Sequence, residues 1–239
     1  VKRFWDSATI EPGDAGYAIL LDGKPVHLPG GPLLRVQAAP LAHAIAEEWQ
    51  AAGGRKDGEM SFADMPLTRL AGTAQGRIAP DPTPTIDAIA HYAESDLLCY
   101  RAETPDVLVH RQMREWQPWF NWVALTYDAP LRVSTGIAPV KQQRGSLTAL
   151  RNAVAVLDVP ALTALGIAVP ALGSLVLGLA LAAQRLDAAS AHALGCLEEL
   201  FQAEVWGEDT EAAARRRAIA ADIELAARFL QLTRDAVTP

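Results

Sequence analysis

Between Asp158 and Arg185 the chain carries no charged residue. A stretch of that length is either immersed in lipid or buried in protein, and the two outcomes make different molecules. A bilayer span takes about 20 apolar residues in one uninterrupted helix. Here Pro170 stands near the middle, with Gly166, Gly173 and Gly178 around it. Much of the content is alanine, and neither a basic cluster nor an aromatic belt flanks the stretch. It therefore predicts two short helices meeting at Pro170, the second buried on nearly all sides. Insertion of residues 159–183 into a membrane is the competing reading, and no membrane insertion is expected.

A chain of 239 residues with half its residues apolar can build the core that such a helix needs. Disordered chains are poorer in apolar residues, so disorder is excluded as the dominant state. The net charge of −7 repels phosphate backbones and speaks against nucleic acid as a partner. One basic run exists, Arg215-Arg216-Arg217, and it is expected on the solvated face of a helix. Cys99 and Cys196 lie far apart and form no CxxC pair, so buried thiols in a reducing compartment are expected. The first six residues hold no apolar run, so no signal peptide is expected there.

The first third reads as β-rich. Tyr17, Ile19 and Leu21 alternate with smaller residues, as a half-buried strand requires. Asp22-Gly23 is a hairpin signal, with Val26 and Leu28 on the return strand. Pro25 lacks an amide hydrogen and pushes that strand to an edge or delays its start. Residues 33–36 are a further short apolar run. A helix follows from Pro40 to Gln50, carrying Leu41, Ile45, Glu48 and Trp49, and Gly53-Gly54 ends it. Residues 65–78 suggest a second helix, weakened by Gly72 and Gly76. Then Pro80, Pro82 and Pro84 fall within five residues, each disfavouring helix at the residue before it. The expected organisation is α+β: a small β-rich N-terminal domain, 1-80, and a larger all-helical C-terminal domain, 81-239. Within the latter, helices are expected at 86–93, 107–127 (kinked or divided near Pro118), 147–157, 188–206 and 210–232, with a short apolar stretch at 97–100.

Catalytic signals are sparse. There is no GxxxxGK[ST] loop, no GxGxxG after a strand and no GxSxG. No histidine has a second histidine at helical spacing, so the common zinc arrangements fail. No catalytic, cofactor-binding or metal residue is assigned, and the chain is read as a non-enzyme. The competing reading is a hydrolase or metal-dependent enzyme using His91, Glu94 and Asp96.

Two other groups stand out. Trp116, Trp119, Phe120 and Trp122 lie within seven residues and serve either as core around Pro118 or as an apolar docking surface. Residues 198–211 hold six acidic and no basic residues. On a wheel drawn through 188–206, Leu194, Leu197, Phe201 and Val205 form an apolar stripe, with Glu204 at its edge. A carboxylate there would be partly desolvated and in need of a partner. Glu199 and Trp206 fall on the opposite, solvent-facing side, where an exposed tryptophan beside carboxylates has the character of an interface anchor. The alternative is that Trp206 packs on another helix while the carboxylates favour the N-terminus near Thr210.

Four ordered blocks carry a resemblance to a known family. They are Glu47-Glu48-Trp49-Gln50-Ala51, Met65-Pro66-Leu67-Thr68-Arg69-Leu70-Ala71, Ser95-Asp96-Leu97-Leu98-Cys99-Tyr100-Arg101 and Gln202-Ala203-Glu204-Val205-Trp206-Gly207-Glu208-Asp209. Together with the opening Lys2-Arg3-Phe4-Trp5 and the hairpin Leu21-Asp22-Gly23-Lys24-Pro25, they resemble the assembly chaperones of the F-type ATP synthase α subunit, found in mitochondria and some α-proteobacteria. Gly72 and Gln75-Gly76 depart from the family pattern. The resemblance implies a two-domain α+β fold. It implies a chaperone that binds the free α subunit and prevents its aggregation until the β subunit replaces it. It directs attention to Glu199, Glu204, Trp206, Glu208 and Asp209 as partner-binding residues and to Trp49 as a structural position. No cofactor is implied. A monomer in the bacterial cytoplasm is expected, with the mitochondrial matrix as the alternative; arginine outnumbers lysine 17 to 4, the codon bias of a GC-rich bacterium.

Overall fold

Asp22 and Gly23 turn the chain through two left-handed residues, with φ of 48° and 77°. Such a pair makes the type I′ turn that joins antiparallel strands. The Asp22 carboxylate fixes this turn by accepting from the amides of Asp6 and Ser7. Hydrogen bonds from the Ser7 and Asp6 backbone hold its pKa below the usual aspartate value. The computed structural model describes residues 1–136 and 139–234. By contact the chain divides into two units, Val1–Pro82 with Arg228 onward, and Thr83–Ala227.

In the first unit, β1 (Ala8–Gly13) and β2 (Gly16–Leu21) pair antiparallel along their full length, from Ala8 opposite Leu21 to Gly13 opposite Gly16. The other edge of β2 takes β3 (Lys24–Pro25) and β4 (Arg35–Val36). Ile19 and Leu21 are buried, as their alternation requires, and Ala18 is buried as well. Strand β1 has no pattern of its own: Thr9, Glu11 and Pro12 break any alternation of large apolar residues, and pairing alone places it. Helix α1 (Ala39–Ala51), opened by Pro40, packs on β1 and β2 through Leu41, Ile45 and Trp49. Trp49 is buried against Trp5, with ring centroids 5.0 Å apart, and its carbonyl accepts from the Trp5 indole. Arg3 is buried and donates only to carbonyls, those of Trp5, Gln50, Ala52 and Asp6. It thereby caps the carbonyl end of α1 with a cation, the favourable sign there.

Helix α2 (Pro66–Thr73) has no side-chain cap of its own; Met65 cannot accept a hydrogen bond from the first amides. Glu48 of α1 supplies it instead. Its two carboxylate oxygens accept from the amides of Leu67 (2.7 Å) and Thr68 (2.9 Å) and from the Thr68 hydroxyl (3.0 Å). Burial pushes the Glu48 pKa up, while those hydrogen bonds pull it down. Glu48→Ala is expected to cost about 2–3 kcal/mol, because two amides and a hydroxyl lose their acceptor at once. A chemical-denaturation curve with an unchanged slope and midpoint would contradict this role. The helix expected over 65–78 continues past Thr73 only as a π-helical turn, Ala74–Ile78. There Gln75, one of the departures from the family pattern, donates to the Leu33 carbonyl and accepts from the Arg35 amide. It clamps the chain leading into β4.

The second unit is helical apart from β5 (Tyr100–Arg101) and β6 (Ser134–Thr135), a parallel pair of two residues each. Its helices are α3 (Thr83–His91), α4 (Asp106–Tyr127), α5 (Arg144–Ala155), α6 (Val159–Leu172), α7 (Leu175–Ala182), α8 (Ala188–Gly195), α9 (Leu197–Trp206) and the part of α10 (Thr210–Arg234) up to Ala227; the rest of α10 belongs to the first unit. Pro118 does not divide α4. The one intrahelical bond it removes is on the outer face, where Arg114 and Pro118 are both exposed, while Trp116 and Phe120 anchor the helix inside. The uncharged stretch forms two helices, but the break falls after Pro170. Helix α6 runs on to Leu172, and the stop is Gly173, with φ of 62°. A left-handed stop suits glycine, whereas proline removes only one bond. All eight residues of α7 are buried. Gly178 lets it approach α6 so closely that any β-carbon there would collide with the Val169 side chain. No described helix is long and apolar enough to cross a membrane.

Asp96 organises this core. It is fully buried and begins the 3-10 turn Leu97–Cys99 by accepting from the Leu98 amide. The same carboxylate accepts from the Ser174 hydroxyl (2.8 Å) and the Val176 amide (3.0 Å), at the start of α7. Burial pushes its pKa up to about 6 against the pull of these bonds.

Candidate functional site

The helix expected over 188–206 is interrupted at Cys196, so the wheel drawn through it loses phase along α9. Leu194, Leu197 and Phe201 are buried as expected, but Val205 is 54% exposed. Trp206 is 75% exposed and closes α9 before Gly207, whose φ of 91° turns the chain toward α10. Every residue from Glu204 to Glu211 is exposed. That corner presents two large apolar side chains among four carboxylates and no cation of its own segment.

Three carboxylates, Glu199, Glu204 and Glu208, are engaged by arginines of the same unit. Glu204 is exposed and not desolvated, contrary to the wheel. It does have a partner: Arg111 of α4 grips it with two hydrogen bonds of 2.9 and 2.8 Å. Arg111 lowers the Glu204 pKa and stacks over the Phe201 ring at 5.3 Å. Glu199 is half-buried and reaches toward α10, 3.0 Å from Arg215; its other oxygen is buried 3.8 Å from Arg216, beyond hydrogen-bond reach. Arg215 and Arg217 are exposed as expected, but Arg216 between them is buried, and it pairs with Glu208 at 3.0 Å. Asp209 begins α10, its carboxylate accepting from the Ala212 amide at 2.8 Å. Glu198 accepts from Gln112 and is pushed up in pKa by burial.

Beside this corner, α4, α8 and α9 enclose an open groove of about 560 Å³. Leu194, Leu197 and Leu200 line it from one side and Trp119 from the other, with the Arg111–Glu204 pair also on its wall. The tryptophan cluster thus divides between its two readings. Trp116 and Phe120 are core, with Arg101 over both rings at 5.2 Å and the Trp116 indole donating to the Leu194 carbonyl. Trp119 and Trp122 are half-buried and edge-on to each other at 6.2 Å.

His91, Glu94 and Asp96 do not converge. His91 and Glu94 pair with each other at the surface, 3.3 Å apart, while Asp96 is buried and committed to the start of α7. Among the described residues no group of three or more histidine, cysteine, aspartate or glutamate side chains is placed to hold a metal. Sequence reasoning missed Arg111 and misplaced Arg216. Arg111 lies 93 positions from Glu204, so no local spacing could pair them.

Residues 2–124 match the family model of the ATP12 chaperone protein. The crystal structure of Atp12 from Paracoccus denitrificans is 43% identical in sequence and superposes with a TM-score of 0.90, over 98% of each chain. A lysine-for-aspartate mutant of that protein matches with the same figures. A candidate chaperone from Agrobacterium tumefaciens is 34% identical, with a TM-score of 0.87 over 97% of this chain and 85% of its own.

Proposed function

The chain belongs to the ATP12 chaperone family, and from that premise we propose that it serves assembly of the F-type ATP synthase by holding the free α subunit until the β subunit takes its place. The observation that carries this reading is the corner at 204–211, where Trp206 is 75% exposed among carboxylates. A tryptophan in water leaves a large apolar area unburied, and exposed aromatics of this kind anchor interfaces. An unassembled subunit has the complementary difficulty. Its future interface is apolar and promotes aggregation until covered. A holder needs apolar anchors and matching charge, and it acts by occupancy without catalytic groups or a bound nucleotide. The acidic corner favours basic residues on the client, and a competitor for the same client surface releases it by mass action. The protein works as a monomer in the bacterial cytoplasm, or in the mitochondrial matrix if the gene is nuclear.

Glu199, Glu204, Trp206, Glu208 and Asp209 are the proposed contact residues. Glu204→Lys is expected to weaken binding of isolated α subunit about 10-fold with little change in melting, since Glu204 is exposed; Glu208→Lys is expected to weaken it by a similar factor and also to lower the melting temperature, because it takes the partner from the buried Arg216. Affinities equal to wild type, measured by titration at low salt, would remove the carboxylates from the interface. Raising the salt concentration is expected to weaken the wild-type complex for the same reason.

A further inference from the structure

Trp206 is the last residue of α9 and 75% exposed, so packing does not hold its ring in one place. Gly207 follows at a φ of 91°, where a β-carbon would meet nothing, so it adds no restraint by packing either. The restraint comes from the next residue. Glu208 accepts from Arg216 at 3.0 Å, and Arg216 is only 6% exposed. The Arg216 carbonyl in turn accepts from the His192 ring of α8 at 3.1 Å, so its backbone is tied to the helical core while its side chain reaches the turn. Glu199 stands 3.8 Å from the same guanidinium and gives it no hydrogen bond. The buried cation therefore leans on Glu208, and the cost of stranding a buried charge keeps that pair closed.

We propose that Arg216 is a positioning residue for client binding: by holding Glu208 it fixes the turn that follows Trp206, so that the ring meets the α subunit in one arrangement. This rests on the client reading above and goes further by giving a part in affinity to a residue too buried to touch the client. An anchor that is ordered before binding has less freedom to lose when it binds. Without the tie, the glycine leaves the end of α9 free to sample arrangements that do not fit the client. Asp209, whose carboxylate accepts from the Ala212 amide, fixes the far side of the same turn to α10.

The test is a double-mutant cycle on the full chain, with binding of isolated α subunit titrated at a temperature where every variant is folded. Arg216→Met keeps an apolar stem in the interior and removes the tie. It is expected to bind about 10-fold more weakly, and Trp206→Ala added to it is expected to cost only about 3-fold, against about 30-fold in the wild-type background. An arginine that serves stability alone lowers melting but leaves the cost of Trp206→Ala the same in both backgrounds. Glu208→Asp carries the same cycle at the surface should Arg216→Met fail to fold: it keeps the charge but is one methylene shorter, and the same loss of coupling to Trp206 is expected. If wild type binds α and the two costs simply multiply, or the variant that breaks the tie binds as tightly as wild type, the positioning role is overturned and the client reading stands. If wild type does not bind α at all, both fall together.

Discussion

Asp96→Ala is expected to lower the melting temperature by about 10 °C at pH 5, with the gap to wild type narrowing as the pH rises to 8. The side chain accepts from two backbone amides and one hydroxyl in a dry interior. Backbone amides cannot titrate away, so its removal strands donors at about 1–3 kcal/mol each, besides leaving a void. A net loss of about 4 kcal/mol at pH 5 corresponds to about 10 °C for a chain of this size. The pH dependence follows from the carboxyl's pKa, which burial raises from 3.8 to about 6. With the folded value above the unfolded one, the native state holds the extra proton between about pH 4 and 6. The stabilisation is present below that window and is lost as the pH rises through 6, amounting to about 3 kcal/mol. Alanine has nothing to titrate, so the difference between the proteins must shrink toward alkaline pH. Paired thermal melts across this range measure it. A gap that stays constant or widens with pH would show that Asp96 is ionised throughout.

Trp206→Ala is expected to weaken binding of the α subunit by about 30-fold or more and to leave melting unchanged. The first half follows from the cost of truncating a central interface tryptophan, about 2 kcal/mol or above. The second follows from its position. At 75% exposure it closes α9 without burying itself in the core. The contrast with Trp116 makes the point. That ring is fully buried and hydrogen-bonded to the Leu194 carbonyl, so its loss would be felt in folding first. Calorimetric titration of the variant against isolated α subunit separates the two quantities. Wild-type affinity would mean that Trp206 lies outside the interface.

What was legible in the sequence was what local chemistry determines. Asp22-Gly23 announced its turn because few residue pairs take two left-handed conformations. The charge-free run announced a buried helix because no other soluble environment accepts it. Breaks were less legible. Pro170 has the look of a helix end, yet this helix ends where a residue turns left-handed, and that residue is Gly173. The interruption at Cys196 has no glycine or proline at its own position, and missing it rotated Val205 from solvent to core in the expected wheel. Strand β1 was invisible because its place is set by pairing with β2 and not by its own pattern.

The candidate site divides in the same way. The acidic block could be read directly from composition; the wheel leaves Trp206 between solvent and another helix, and the structure exposes it. The arginine partners of that block could not be read this way. Arg111 and Arg216 reach the carboxylates through tertiary packing, and these contacts change the character of the block. Glu199, Glu204 and Glu208 are paired with arginines around an exposed ring, so a client's cations compete there with arginines already present. The Arg111–Glu204 pair, nearer the surface, contributes about 0–1 kcal/mol and is free to exchange partners, whereas Arg216 is buried and depends on its carboxylates.

The most direct test of the account is a release experiment. Isolated α subunit is bound to the full chain, and β subunit is added in increasing amounts. The account predicts a soluble one-to-one complex that β dissociates in proportion to its concentration, with α passing to β. An α subunit that never binds, or a complex that β leaves intact at saturation, would contradict it.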